Sequence, residues 1–249
     1  MEFKAFRAVL SFLTVLPAGS YDIYTAARGM YLFPLVGAAV GVIVGGMAFG
    51  LSFFLHPLIV GLLATGALVI ITGVHHTDAL ADFADGLMAK GGKEAKHKAM
   101  LDPAVGSAGV ATLVLYFAGM IIVFYTGLSP GPKVFFSLVT AEAIAKYSMV
   151  LLANRGASAW QGFSSPFTSA MKSGKKLLAA TAITLPIAWF ATGQAGLIAL
   201  SVSIAISLMM LYMSNRNFGG ISGDVLGASN EITRLASLVV ISSSTVAVL

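Results

Sequence analysis

Between Arg28 and Asp78 the chain carries no Asp, Glu, Lys or Arg, and most of that stretch is Val, Leu, Ile, Ala, Phe and Gly. A soluble domain interleaves charge with apolar sequence. The hydrocarbon core of a bilayer, about 30 Å thick, instead requires uninterrupted apolar runs of roughly 20 residues. The whole chain follows the second pattern: 57% of its residues are apolar and 10% charged, where soluble domains carry roughly 25%, and the mean hydropathy is +0.90. Helices satisfy their own backbone groups inside lipid. The expected fold is therefore all-α, a polytopic helical bundle forming one integral membrane domain over residues 1–249.

Candidate spans fall at approximately 31–55, 58–74, 108–127, 133–153, 176–192, 196–213 and 229–249, seven in all. The 58–74 run is short and can continue as one helix into the acidic sequence behind it. Phe3 to Pro17 places Lys4 and Arg7 before a short apolar run, as a signal peptide does, but lacks a small-residue cleavage site. It reads as a retained interfacial or re-entrant helix. With the 75–107 connection in the cytoplasm, twelve of the fifteen basic residues share that side; Lys133 lies opposite, and Lys146 and Arg234 lie inside spans. The positive-inside rule then orients the chain in the cell membrane with its N-terminus in and its C-terminus out. The formal charge of +5 reads as orientation and lipid contact, with no call for nucleic acid. The sequence is compatible with a homo-oligomer.

Directly behind the uncharged run comes a concentration of acid. Asp78, Asp82 and Asp85 stand at i, i+4 and i+7, so on a helix they share one face, which His75 joins. On a soluble helix three such acids are ordinarily a solvated face. Beside a membrane-embedded run ionisable groups are expensive and point to function. Stacked carboxylates repel, and a hard divalent cation is the simplest counter-charge. All-oxygen ligands favour Mg²⁺, Mn²⁺ or Ca²⁺, and Mg²⁺ in particular completes its shell with water and phosphate. The absence of cysteine excludes thiolate metal sites and disulfides.

Further polar chemistry lies on the same predicted side. Lys90, Lys93, Lys96 and Lys98 follow the acids and suit either phosphate neutralisation or simple positive-inside flanking. The run from Asn217 to Gly227 sets glycines around Asp224, which allows close backbone approach to a ligand or merely a flexible turn. Within spans, Glu142 with Lys146 and Glu231 with Arg234 are spaced to pair on one helix face. They either neutralise themselves near a helix end or line a polar cavity.

Three separated stretches together resemble the cobalamin synthase family, the adenosylcobinamide-GDP ribazoletransferases. They are His76-x-Asp78 with Asp82, Asp85 and Gly86; Met100-x-Asp102 with Gly106; and Gly219-Gly220-x-x-Gly223-Asp224-x-x-Gly227. Phe12-Leu13-Thr14 and Phe33-Pro34-Leu35-Val36-Gly37 also match family habits. Ala79 departs from a family glycine, and Leu101 and Pro103 from a family Lys and Ser around Asp102. A shorter part, Asp82 to Ala89, is similar to the CDP-alcohol phosphotransferases, although their later pair of acids is missing.

The resemblance implies that a ribose hydroxyl of α-ribazole, or of its 5′-phosphate, attacks adenosylcobinamide-GDP and expels GMP. Mg²⁺ would sit on Asp78, Asp82 and Asp85. Asp102 or His76 would be the base, and Gly86, Lys90, Gly106, Gly219, Gly220, Gly223 and Asp224 would contact substrate. His76 can equally be a structural hydrogen-bonder. The competing expectations are a secondary transporter or channel with a cytoplasmic divalent-cation site, and a CDP-alcohol phosphotransferase-like phospholipid enzyme.

Overall fold

A computed structural model describes residues 2–19, 21–128 and 130–244. Among these the chain is helical, and the only strand-like pairing is one parallel bridge, Ser158 with Ile221. The helices are α1 (Glu2–Leu13), α2 (Ile23–Arg28), α3 (Phe33–Leu51), α4 (Pro57–Ile71), α5 (His75–Met88), α6 (Lys93–Met100), α7 (Ser107–Val123), α8 (Pro132–Arg155), α9 (Ser165–Ala170), α10 (Gly174–Asn217) and α11 (Gly223–Ser243).

Helix α8 is the axis of the bundle. It is buried along nearly its whole length and packs against α3, α10 and α11. Its approach to α3 depends on Gly37, Gly41 and Gly45, spaced one turn apart. A Cβ on Gly41 would stand 2.6 Å from the Val139 Cα, and one on Gly45 would stand 3.0 Å from the Phe135 carbonyl. Small residues at this spacing let two membrane helices meet backbone to backbone, which in lipid replaces the missing hydrophobic drive. The outward faces of α7 and α10 keep large apolar side chains exposed, among them Leu115 and Phe190, as a lipid-facing surface does.

Five helices are long and apolar enough to cross a bilayer: α3 with its leading turn, α7 with its trailing turn, α8, α10 and α11. Straight, α10 with its 44 residues would run about 66 Å, twice the hydrocarbon thickness. It does not run straight. Gly193 adopts φ 61° and ψ −138°, and a Cβ on Gly196 would collide with the Ala188 carbonyl, a residue about 12 Å away along a continuous helix. The chain therefore reverses at Gly193, giving two arms, as the expected break between 192 and 196 anticipates. Counting the two arms of α10 separately gives six of the seven expected spans; α4, at 15 residues, is about 22 Å long and shorter than the hydrocarbon core. The last five residues of the expected final span, and the C-terminus, lie outside the described residues.

One expectation is overturned. Residues 58–74 do not continue straight into the acidic stretch: α4 and α5 meet at 92°. The corner is built by Gly73 at φ 70° and Val74 at φ 68°, left-handed values that a β-branched residue rarely adopts. Val15 N–H donates to the Ile71 carbonyl at 2.8 Å, satisfying an α4 end that would otherwise be bare. Thus α5 leaves the end of α4 at nearly a right angle and does not extend it. Helix α1, at about 18 Å, is too short to cross, and buries Ala8, Val9 and Leu13 beside α2 and α3.

Candidate active site

The corner presents α5 sideways, its Asp face on one side and its apolar face, with Leu80, Ala81 and Phe83, turned inward. Helix α11 packs closely along it because both are small where they touch. A Cβ on Gly227 would stand 2.5 Å from the Ala79 Cβ, so the α5 alanine at the family-glycine position still leaves room for α11. This approach sets Asp224, in the first turn of α11, against the α5 acids. Burial first, then the Asp78, Asp224 and Asp85 carboxylates, push the Asp82 carboxyl up to about 6. Four carboxylates thus share one region, where protonation or a counter-charge relieves their repulsion.

Asp85 has a separate task. Its oxygens accept the Gly106 and Gly109 N–H groups at 2.7 and 2.9 Å, the free donors at the start of α7, where an anion is favoured by the helix dipole. A Cβ on either glycine would stand 2.5 Å from an Asp85 oxygen. Gly106 therefore serves Asp85. Gly86 is pressed against Met100 of α6, and Gly220 against the backbone of Ala157 and Ala159, where the bridge to Ile221 forms. Gly219 takes φ +86° with Lys93 Nζ beside it. Lys96 donates to the Leu87 and Ala89 carbonyls at 2.7 and 2.8 Å, closing the C-terminal end of α5. Lys90 is exposed, as is Asp102, whose Oδ1 accepts the Ala104 N–H at 2.9 Å.

A cavity of about 890 Å³ opens beside the acids. His75, His76, Asp78, Gly223 and Asp224 line its polar end. Its apolar end is formed by Phe12 from α1, Phe33 from α3, and Phe163 and Phe167 at α9. Asp82, Asp85, Asp102 and Lys90 are outside the lining. His97 and Trp160 complete the wall as a stacked pair with centroids 3.6 Å apart. Phe12 and Phe33 stand at family positions in the sequence, but the part that residues 160–167 take in the aromatic wall has no local sequence signal.

Behind His76 lies a charged layer. Arg234 bonds both Glu142 and Glu231, and Tyr116 bonds Glu231. Lys146 Nζ donates to Asn230 Oδ1 at 2.7 Å and stands 3.7 Å from Glu142. Every member is buried, and two acids against two bases leave no net charge. The two sequence-local pairs are thus one network joining α7, α8 and α11, and they neither snorkel nor line the cavity. His76 Nδ1 stands 3.9 Å from Glu231 and has no hydrogen-bond partner. Burial first, then Lys146 and Arg234, hold the His76 imidazole well below its ordinary pKa, so it is neutral at neutral pH.

Residues 5–242 match the family described as CobS, cobalamin-5-phosphate synthase. The chain belongs to that family. It is similar to proteins named adenosylcobinamide-GDP ribazoletransferase: 32% identical to one from Methanocella arvoryzae over 93% of this chain and 92% of the relative. A relative from Archaeoglobus fulgidus is 34% identical (94% and 95% covered), and one from Pyrococcus abyssi 33% (96% and 97%). No solved structure matches the chain.

In this cobalamin-5-phosphate synthase family member the fit to a divalent cation rests on donor chemistry. Among the described residues no three His, Asp or Glu side chains converge tightly enough to hold an ion alone. Mg²⁺ does not need that: one or two carboxylates, with water and substrate phosphate in the other positions, are its ordinary site. Asp78, Asp82 and Asp224 supply such oxygens, and the raised Asp82 carboxyl marks a place where positive charge is favoured.

Proposed function

We propose that the protein transfers the cobinamide phosphate of adenosylcobinamide-GDP to a ribose hydroxyl of α-ribazole, or of its 5′-phosphate, releasing GMP in the nucleotide-loop assembly of cobalamin. The observation that carries this reading is that Asp78 of α5 and Asp224 of α11 line one amphipathic cavity, with Asp82 beside them, in a chain of this family. The ribose oxygen forms a bond to the cobinamide-bound phosphorus, the bond from that phosphorus to the GMP phosphate oxygen breaks, and the hydroxyl proton passes to a base.

Of the two candidate bases His76 is the one that lines the cavity, and it is neutral and so able to accept a proton. Asp102 organises the turn into α7 instead. Mg²⁺ would be held by one or two of Asp78, Asp82 and Asp224 together with water and substrate phosphate, and Asp85 fixes the start of α7. A cation held there would supply charge neutralisation for the diphosphate and the departing phosphate. Lys93, beside Gly219, adds positive charge at the rim. The protein lies in the cytoplasmic membrane with this site facing the cytoplasm.

The test is direct. Purified protein given adenosylcobinamide-GDP, α-ribazole and Mg²⁺ should yield GMP and a complete cobalamin in equal amounts, each dependent on both substrates. No GMP, or GMP formed equally well without α-ribazole, overturns the reading.

A further inference from the structure

The chemistry proposed above uses only the polar end of the cavity and leaves its apolar end without a role. There the exposed Phe163 and the half-buried Phe12 present their rings, backed by the buried rings of Phe33 and Phe167. Phe12 lies 4.9 Å from Phe167, 5.6 Å from Phe163 and 6.1 Å from Phe33, centroid to centroid. Core aromatics are ordinarily covered, yet Phe163 is 59% exposed. Its ring also reaches the polar end: a Cβ on Gly223, the neighbour of Asp224, would stand 3.3 Å from Phe163 Cδ1. Aromatic surface and carboxylate are thus adjacent.

We infer that this aromatic surface is the subsite for the benzimidazole-type base of the nucleoside substrate, seated so that the attached ribose reaches Asp224 and Asp78. The inference rests on the reading under Proposed function. Two observations select this occupant. The exposed surface is made of hydrocarbon rings, which suit a flat, apolar two-ring base by stacking. A cavity of about 890 Å³ is the size that encloses a drug-sized molecule, as a nucleoside is, whereas a corrinoid with its nucleotide exceeds it and has to remain largely outside. The two-sided cavity therefore accounts for how one hydroxyl, out of several on two substrates, is brought to the acids.

Trp160 on the cavity wall is a built-in reporter, and the only other tryptophan, Trp189, is on α10 away from the site. In the full-length Trp189→Phe protein, dimethylbenzimidazole alone should quench Trp160 fluorescence saturably. The exposed Phe163→Ala change should weaken that binding by about tenfold, the size of one lost stacking contact. It should raise KM for α-ribazole by a similar factor and leave KM for adenosylcobinamide-GDP within about twofold. Unaltered fluorescence with dimethylbenzimidazole, or quenching by guanosine in its place, overturns the subsite. So does a Phe163→Ala enzyme whose higher KM is for adenosylcobinamide-GDP. Saturable quenching in a protein that makes no GMP would uphold the subsite and sink the catalytic reading, so the two failures are distinguishable.

Discussion

At the residue scale, four acids near one another do different work, and substitution separates them. Asp82 should be indispensable for turnover: Asp82→Asn keeps the shape and removes the anionic oxygen, so GMP release should fall by orders of magnitude while the protein stays folded. Asp85→Ala should act on stability, because it strips two N–H partners from the start of α7; a loss of about 1–2 kcal/mol, read as a lower unfolding temperature, is the scale of a lost helix cap. The raised Asp82 carboxyl fixes a pH dependence. Below about 6 it holds a proton that a cation has to displace, and above about 6 it is ionised. The Mg²⁺ concentration needed for half-maximal rate should be flat above neutrality and rise by about tenfold per unit as pH falls well below that value. A flat profile down to pH 5 would remove Asp82 from the metal site. The shared face of Asp78, Asp82 and Asp85 was legible because helical spacing alone produces it. The task of Asp85 was not, since its partners lie on another helix, past α6.

At the element scale, the site exists because α5 turns off the end of α4 and is clamped by α11. The alternation of apolar runs and breaks made the helices readable, including the reversal at Gly193. The 92° corner was hidden: Gly73 announces a break, but a left-handed Val74 has no sequence signal, being held by tertiary contacts such as Val15 with Ile71. Because the space beside Gly227 is filled by Ala79, with the His76 ring next to it, Gly227→Val should push α11 off α5 and abolish GMP release without altering any of the carboxylates. Activity retained in that variant would show that the α5–α11 approach is not needed. The buried network is the second clamp. Arg234→Met leaves Glu142 and Glu231 without their shared cation; a loss of about 3–5 kcal/mol is typical of a broken buried pair. The variant should fail to accumulate in membranes.

At the scale of the whole molecule, an apolar helical bundle carries the site on one face. The composition made the bundle legible, whereas the cavity, assembled from α1, α3, α5, α9 and α11, depends on contacts between distant parts of the chain. The cysteine-free sequence permits a sidedness test: a cysteine at Lys93 should label from the cytoplasm and one at Gln194 from outside, and the reverse pattern would move the site to the other face. The central claim is that the α5 acids and Asp224 are one reaction centre, and the most direct test is a double-mutant cycle on GMP release with Asp78→Asn, Asp224→Asn and both together. Groups acting as a unit are strongly non-additive. Each single change should lower the rate by about 100-fold or more, and the double variant should fall no more than about threefold below the weaker single one. Losses that multiply, or a silent Asp224→Asn, would contradict the account.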